Sequence, residues 1–191
     1  GPIEAQMEKL NALKALGGEA WFQLGDGDLA THVERTRRLA AGESLSSVTA
    51  ALTARLGIEV AITPMSDDAV RTYVDTADGA LAFQHYFVRD RCEPVIKGVS
   101  FKGMETAERA PEFEQLIASG DLSQIIICPS NPFVSVAPIL DLAETWKALR
   151  EFDCPVVLVS PIVAGMALKG PAAKMMTELK MPSTALAVAQ F

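Results

Sequence analysis

Two short apolar runs, Ile125-Ile126-Ile127-Cys128 and Val156-Val157-Leu158-Val159, constrain what this chain can fold into more than any other feature. The first stops at Pro129-Ser130-Asn131-Pro132 and the second at Ser160-Pro161. Short, β-branched, continuously apolar runs bounded by turn formers read as strands covered on both faces, as in a parallel sheet. They belong to a longer alternation: strands at residues 95–101, 124–128 and 156–159, and helices near 111–119, 144–152 and 170–179. The order βαβαβα implies right-handed crossovers and a parallel sheet. In such a sheet ligands bind beyond the carboxyl ends of the strands, so two adjacent ends form a crevice suited to a phosphorylated ligand. Lys169-Gly170-Pro171-Ala172-Ala173-Lys174 follows the second end and brings cations near a helix start, where backbone N–H groups favour anions. Each piece alone is also ordinary turn or helix-start chemistry, and their succession is what points to a site.

Upstream the pattern differs. Met7, Leu10, Leu13 and Leu16 recur at helical spacing until Gly17-Gly18, and residues 21–24 read as a short strand. Asp26 or Asp28 caps a helix bearing Leu29, Val33, Thr36 and Leu39 and closed by Gly42; Ser44 caps the next, bearing Leu45, Val48, Leu52 and Leu56 before Gly57. Residues 59–63, 71–76 and 80–88 read as strands, the last two joined by an Asp78-Gly79 hairpin signal. The fold expected is α/β: a Rossmann-like three-layer parallel sheet with an antiparallel hairpin and a helical subdomain. Residues 1–92 would form the helical and hairpin part and residues 93–191 the βαβαβα part.

With 191 residues, 49% of them apolar, the chain is long enough for a hydrophobic core. No apolar stretch approaches the roughly 20 residues that span a bilayer, and the N-terminus lacks a signal-peptide pattern, so a cytoplasmic protein without membrane partners is expected. A formal charge of −7 argues against a broad nucleic-acid surface. A small anion needs only a few cations, such as Arg89, Arg91, Lys97, Lys169 and Lys174. Cys92, Cys128 and Cys154 are odd in number, lack metal-ligand spacing and are expected as free thiols, two of them in or beside buried strands.

Three further segments carry chemistry. Gly25-Asp26-Gly27-Asp28-Leu29-Ala30-Thr31-His32 sets two carboxylates and an imidazole within about two helical turns. That arrangement suits magnesium, a substrate hydroxyl or general-base work, and equally an N-cap with an exposed histidine. Met65-Ser66-Asp67-Asp68 is a second acidic loop that turn chemistry also explains. On a strand over 80–88, Gln84 and Tyr86 share one face and His85 and Phe87 the other, with Arg89 and Arg91 beyond. Aromatic rings beside guanidinium groups can hold a flat heterocycle and an anion; a half-exposed sheet with a solvated rim fits as well. No G-x-S-x-G elbow, P-loop or complete G-x-G-x-x-G is present.

Taken in order, Gly25 to His32, Pro64-Met65-Ser66-Asp67, Phe83-Gln84-His85-Tyr86-Phe87-Val88-Arg89, Cys128-Pro129-Ser130-Asn131-Pro132-Phe133-Val134-Ser135, and Ser160-Pro161-Ile162-Val163 through Lys169-Gly170-Pro171 to Met176 resemble the 2-phospho-L-lactate transferase (CofD-like) family of coenzyme F-420 biosynthesis. The resemblance covers nearly the whole chain. It implies transfer of a phospholactyl-type group, from a guanylylated phospholactate, phosphoenolpyruvate or phosphoglycerate donor, to the deazaflavin Fo with release of GMP and with magnesium as cofactor. By the same resemblance Ser130, Asn131, Pro132, Ser160, Lys169 and Gly170 would contact the nucleotide. Asp26, His32 and Arg89 would serve catalysis, and Met65, Ser66, Gln84 and Tyr86 the deazaflavin or donor acid; the metal ligands are not indicated.

The sequence also departs from the family. Gly27 stands where members usually carry Arg, and His85 where they usually carry Glu. The family's opening Gly-rich strand, the acidic loop after it and its C-terminal portion have no counterpart, so an incomplete domain is expected, and with it a homo-oligomer that covers open edges. Gly1-Pro2 matches a protease-cleavage scar, and the apolar tail over 185–191 has no stop signal. Two other readings stay open: a nucleotide-sugar-binding regulatory protein of the same superfamily, and an inactive fragment.

Overall fold

A computed structural model of the chain describes residues 11–19, 21–22, 24–168 and 170–191. The start of the expected first helix, including Met7 and Leu10, lies outside them; residues 11–15 are helical and Gly17 follows at φ +77°. Residues 21–22 and 24 do not form the expected short strand.

Two helices come next, α1 (Asp26–Ala40) and α2 (Leu45–Arg55). Neither Asp26 nor Asp28 is the N-cap of α1. Gly25 takes that position, and both carboxylates lie in the first turn, where the helix dipole favours them. Ser44 does cap α2, its Oγ accepting the Ser47 N–H at 3.2 Å. None of the residues of α1 is buried, and Leu29, Val33 and Leu39 of its apolar spacing are exposed. Charge contributes to its order: Glu34 accepts from Arg37 at 2.8 and 2.9 Å and from Arg38 at 2.7 Å. These bonds hold the Glu34 carboxyl down at about 2. A carboxyl depressed on folding stabilises the fold above its unfolded value of 4.5 and loses that contribution as pH falls toward 2. Helical content from α1 should therefore hold on acidification to pH 4.5 and decline between there and pH 2, whereas in Glu34→Gln that step is absent; far-ultraviolet circular dichroism across pH measures both.

The antiparallel sheet has the order β2-β1-β3, with β1 (Arg71–Thr76), β2 (Gly79–Ala82) and β3 (Ile96–Lys102). The hairpin connection is Ala77-Asp78, clamped by Thr76, whose Oγ1 donates to Gly79 O at 2.8 Å. Three expectations change here. Residues 59–63 form no strand. The strand at 95–101, expected to open the parallel sheet, instead pairs antiparallel with β1 from Arg71↔Lys102 to Thr76↔Ile96. The strand expected over 80–88 ends at Ala82 and passes into a π-helical turn, His85–Arg89. The apolar spacing of Phe83, Tyr86 and Phe87 fits a helical period as well as alternation. Packing decides it: Phe83 and Phe87, four apart, stack at 5.4 Å while Tyr86 turns into the core.

After α3 (Pro111–Ser119) come β4 (Ile125–Ile127), a second π-helical turn (Pro132–Val136), α4 (Ala137–Asp141), α5 (Thr145–Arg150) and β5 (Val156–Leu158). β4 and β5 pair in parallel, Ile125↔Val156 to Ile127↔Leu158, which makes the fold mixed α/β as expected. One face of the pair is partly covered and the other is open. Leu158 packs on the core, whereas Ile126 and its partner Val157 are 57% and 40% exposed. Cys128, expected to be buried, is exposed, and all three cysteines are free. The chain closes with a β6–β7 hairpin (Ile162–Val163, Met166–Ala167), α6 (Ala172–Glu178) and α7 (Ala185–Gln190). Thr184 caps α7, and the apolar tail has a packing role, since Ala187 and Val188 are buried.

One core cluster joins the antiparallel part to the C-terminal part: Val74, Tyr86 and Ile96 meet Phe133, Ile162, Met175, Met176 and Val188. Burying each large side chain contributes about 1.5–3 kcal/mol. Among the described residues no helix is long and apolar enough to cross a membrane.

Candidate active site

Parallel pairing sets the two chain exits side by side. Ile127 lies opposite Leu158, and the Val159 N–H extends the ladder to Ile127 O at 2.9 Å, so Pro129–Pro132 and Ser160–Pro161 emerge from one edge of the sheet. Asn131 fixes the first exit. Its Oδ1 accepts from Phe133 N at 3.0 Å and Val134 N at 3.4 Å, capping the π-helical turn, and its Nδ2 donates to Met175 Sδ at 3.2 Å. Ser130 stays partly open beside it, while Pro132 is buried. At the second exit Ser160 Oγ accepts from Ile162 N at 3.0 Å and holds the chain in a tight turn.

The loop read only as a strand end and connector is a hairpin. Val163 pairs with Met166 across Ala164 (φ +50°) and Gly165 (φ +78°), two successive left-handed residues of the primed hairpin type. The signal was Ala164-Gly165 between two apolar pairs, hidden because Ala seldom occupies the first position. Val163, Met166 and Leu168 stand exposed on this hairpin and the residue after it. Lys169 lies outside the described residues; Gly170 is exposed at φ +73°.

α6 joins this edge to the antiparallel part. Met175 receives Asn131, and one residue earlier Lys174 Nζ lies 5.9 Å from the Tyr86 ring centre, donates to Pro94 O at 3.1 Å and pairs with Glu178 at 2.7 Å. Glu178 in turn accepts the Ile96 N–H at 3.1 Å. Lys174 is thus a strut between α6 and the start of β3.

The residues of the antiparallel part separate by burial. Asp26 and His32 lie exposed on α1; His32 borders a shallow depression with Val33, Thr36 and Arg37. Gln84 is exposed, and Arg89 forms a two-pronged ion pair with Asp90 at 2.7 and 2.8 Å, which raises the guanidinium and lowers the carboxyl. Met65 is half-buried, and Ser66 is buried with its Oγ donating to Glu108 O at 2.5 Å. The acidic loop that follows is a structural knot: Asp67 accepts from Ser46 N at 2.6 Å at the start of α2, and Asp68 from Glu108 N at 2.9 Å.

Tyr86 is fully buried, and the Cys92 thiol beside its hydroxyl is at most a weak hydrogen-bond partner. Burial above all, and then the nearby Cys92 and Glu178, push this phenol well above its ordinary value; burial likewise raises the Cys92 thiol against the opposing pull of Lys174. A buried hydroxyl with only a thiol beside it recovers little of its desolvation cost of about 1–3 kcal/mol. Tyr86→Phe should therefore raise stability by about 1 kcal/mol, a gain of about 2–4 °C in Tm. Calorimetric unfolding checks this, and a loss of stability would show that the hydroxyl is satisfied.

Among the described residues no three carboxylate, imidazole or thiol groups converge to hold a metal.

The protein-family model described as 2-phospho-L-lactate transferase CofD matches residues 3–190. The chain belongs to the CofD family. It is 36% identical to the 2-phospho-L-lactate transferase of Methanosarcina mazei over 94% of this chain and 58% of that protein. It is 42% identical to the phosphoenolpyruvate transferase of Streptomyces griseus over 100% of this chain and 61% of the relative. The chain thus spans about three-fifths of the length of these CofD relatives. In fold it is similar to a crystal structure of a UPF0052-family protein from Bacillus halodurans, with a TM-score of 0.54 at 15% identity over 71% of this chain and 42% of that one.

Proposed function

We propose that this CofD-family protein is a transferase that moves a phospholactyl-type group from a guanylylated donor to the terminal hydroxyl of the deazaflavin Fo, releasing GMP. The observation that carries the reading is the pair of chain exits at the carboxyl ends of β4 and β5, with Asn131 fastened to α6. Relatives named 2-phospho-L-lactate transferase and phosphoenolpyruvate transferase support it.

In this reading the nucleotide lies across the two exits, against Ser130, Asn131, Ser160, Lys169 and Gly170. Pro132 acts from below by fixing the turn, since it is buried. Phosphoryl transfer asks for positioning and charge stabilisation more than for a covalent nucleophile. Asn131 therefore works through rigidity: its three bonds hold the turn in one geometry before the ligand arrives. Arg89, held flat by Asp90, would serve catalysis on the acceptor side with Asp26 and His32, while Met65 and Gln84 would contact the deazaflavin or donor acid. Ser66 and Tyr86 support that side from within the fold.

The test is incubation of the protein with Fo and magnesium and, in turn, guanylylated phospholactate, phosphoenolpyruvate and phosphoglycerate. Formation of GMP in equal amount with a phosphodiester of Fo is the expected result, and the productive donor names the acid. Binding of guanine nucleotide with no transfer from any of the three would sink the proposal.

A further inference from the structure

Trp21 stands against the π-helical turn that carries Arg89. Its ring meets that of His85 edge to face, with centroids 5.0 Å apart and planes at 79°, and Phe22 adds a second edge contact at 5.7 Å. The indole Nε1 donates to Glu19 at 3.0 Å, which fixes the ring's rotation. Trp21 is only half-buried and Phe22 is exposed, so these rings line a surface and fill no core. His85 and Arg89 open and close the same turn, and Arg89 is held in plane by Asp90 and lies close enough to Glu19 for that carboxylate to add to the rise in its pKa. The turn is followed by Arg91 and Cys92 at φ +49° and +60°. π-helical turns and left-handed non-glycine residues concentrate at functional positions, because the fold must offset their cost.

We propose that Trp21 and His85 form an aromatic wall that binds the ring system of a planar polycyclic heterocycle, with Arg89 at its rim facing the anionic end of the reaction. The identity of that heterocycle as the deazaflavin acceptor rests on the function proposed above. An indole face stacks, offset, on a fused ring of similar area, and alanine substitution of such stacking residues lowers affinity about 10-fold or more.

The chain has two tryptophans, so Trp146→Phe leaves Trp21 as the sole indole. Titrating that variant with Fo should quench its fluorescence to saturation. By calorimetry, Trp21→Ala should bind Fo at least about 10-fold more weakly and GDP within two-fold of the parent, while Trp21→Phe, which keeps an aromatic face, should recover most of the Fo affinity. Unchanged Fo affinity in Trp21→Ala overturns the wall and leaves the transferase reading standing. A parent protein that binds GDP and not Fo overturns the acceptor assignment and the wall together. If both Trp21 variants lose Fo and GDP alike, Trp21 acts through the fold and the wall is overturned.

Discussion

Asn131→Ala is expected to weaken guanine-nucleotide binding about 100-fold while costing only about 1–2 kcal/mol of stability. The two effects separate because the amide has two jobs. Its oxygen caps the turn over Phe133 and Val134, a contribution of ordinary capping size, and its nitrogen holds the turn to Met175 on α6. With both gone the turn still follows β4, since Pro132 and Phe133 remain buried, but it samples positions that no longer match the ligand. Asn131→Asp sharpens the point: it retains the cap oxygen, so stability should fall by no more than about 1 kcal/mol, yet it would set a negative charge beside the phosphates of the proposed nucleotide, and binding should fall at least as far as in the alanine variant. Calorimetric titration with GDP alongside thermal unfolding of both variants separates the effects. Nucleotide affinity within three-fold of the parent in both would remove Asn131 from the site.

The second large effect lies away from any ligand. Gly103→Ala should destabilise the fold by about 2–4 kcal/mol, lowering Tm by about 8 °C. Gly103 ends β3 at φ +91°, and a Cβ there would stand 2.5 Å from the carbonyl oxygen of Ala69. Two penalties coincide, a backbone conformation that side chains disfavour and a clash with backbone that cannot swing aside. The displaced segment adjoins the acidic loop in which Ser66, Asp67 and Asp68 fasten α2 and the 107–110 segment, so the strain spreads into that knot. Gly120→Ala is the control. Its φ is +63° with nothing within 4 Å of the added carbon, and the cost should be about 1 kcal/mol. Equal losses in the two variants would show that conformation alone, without the clash, sets the cost.

Much of the secondary structure was legible because local rules and packing agree there. Ser44 reads as a cap and is one; the segments at 71–76 and 111–119 are the strand and helix their patterns indicate. The strand ends at Pro129 and Ser160 were legible as neighbours, because apolar runs interrupted by one helical stretch leave few topologies. The Phe83 to Arg89 segment was not, since alternation and a helical period share the same apolar positions there and only the destination of Tyr86 separates them. Asp67 and Asp68 read equally as ligands or as turn formers, and their partners lie 21 and 40 residues away in the chain. Trp21 carried no local signal at all, because its neighbour His85 is brought to it by tertiary folding.

The sequence by itself determined the family, the mixed α/β character and the two exits at the ends of apolar strands, since these depend on residue order and on periods that act over a few residues. Only the tertiary structure decided that β3 joins the antiparallel sheet, that Tyr86 is buried and Gln84 open, and that Asn131 is tied to Met175 and Trp21 to His85. The physical reason is range: propensity and capping are settled within one or two turns of chain, whereas strand partner, burial and side-chain contact are settled by which distant surfaces exclude water from one another.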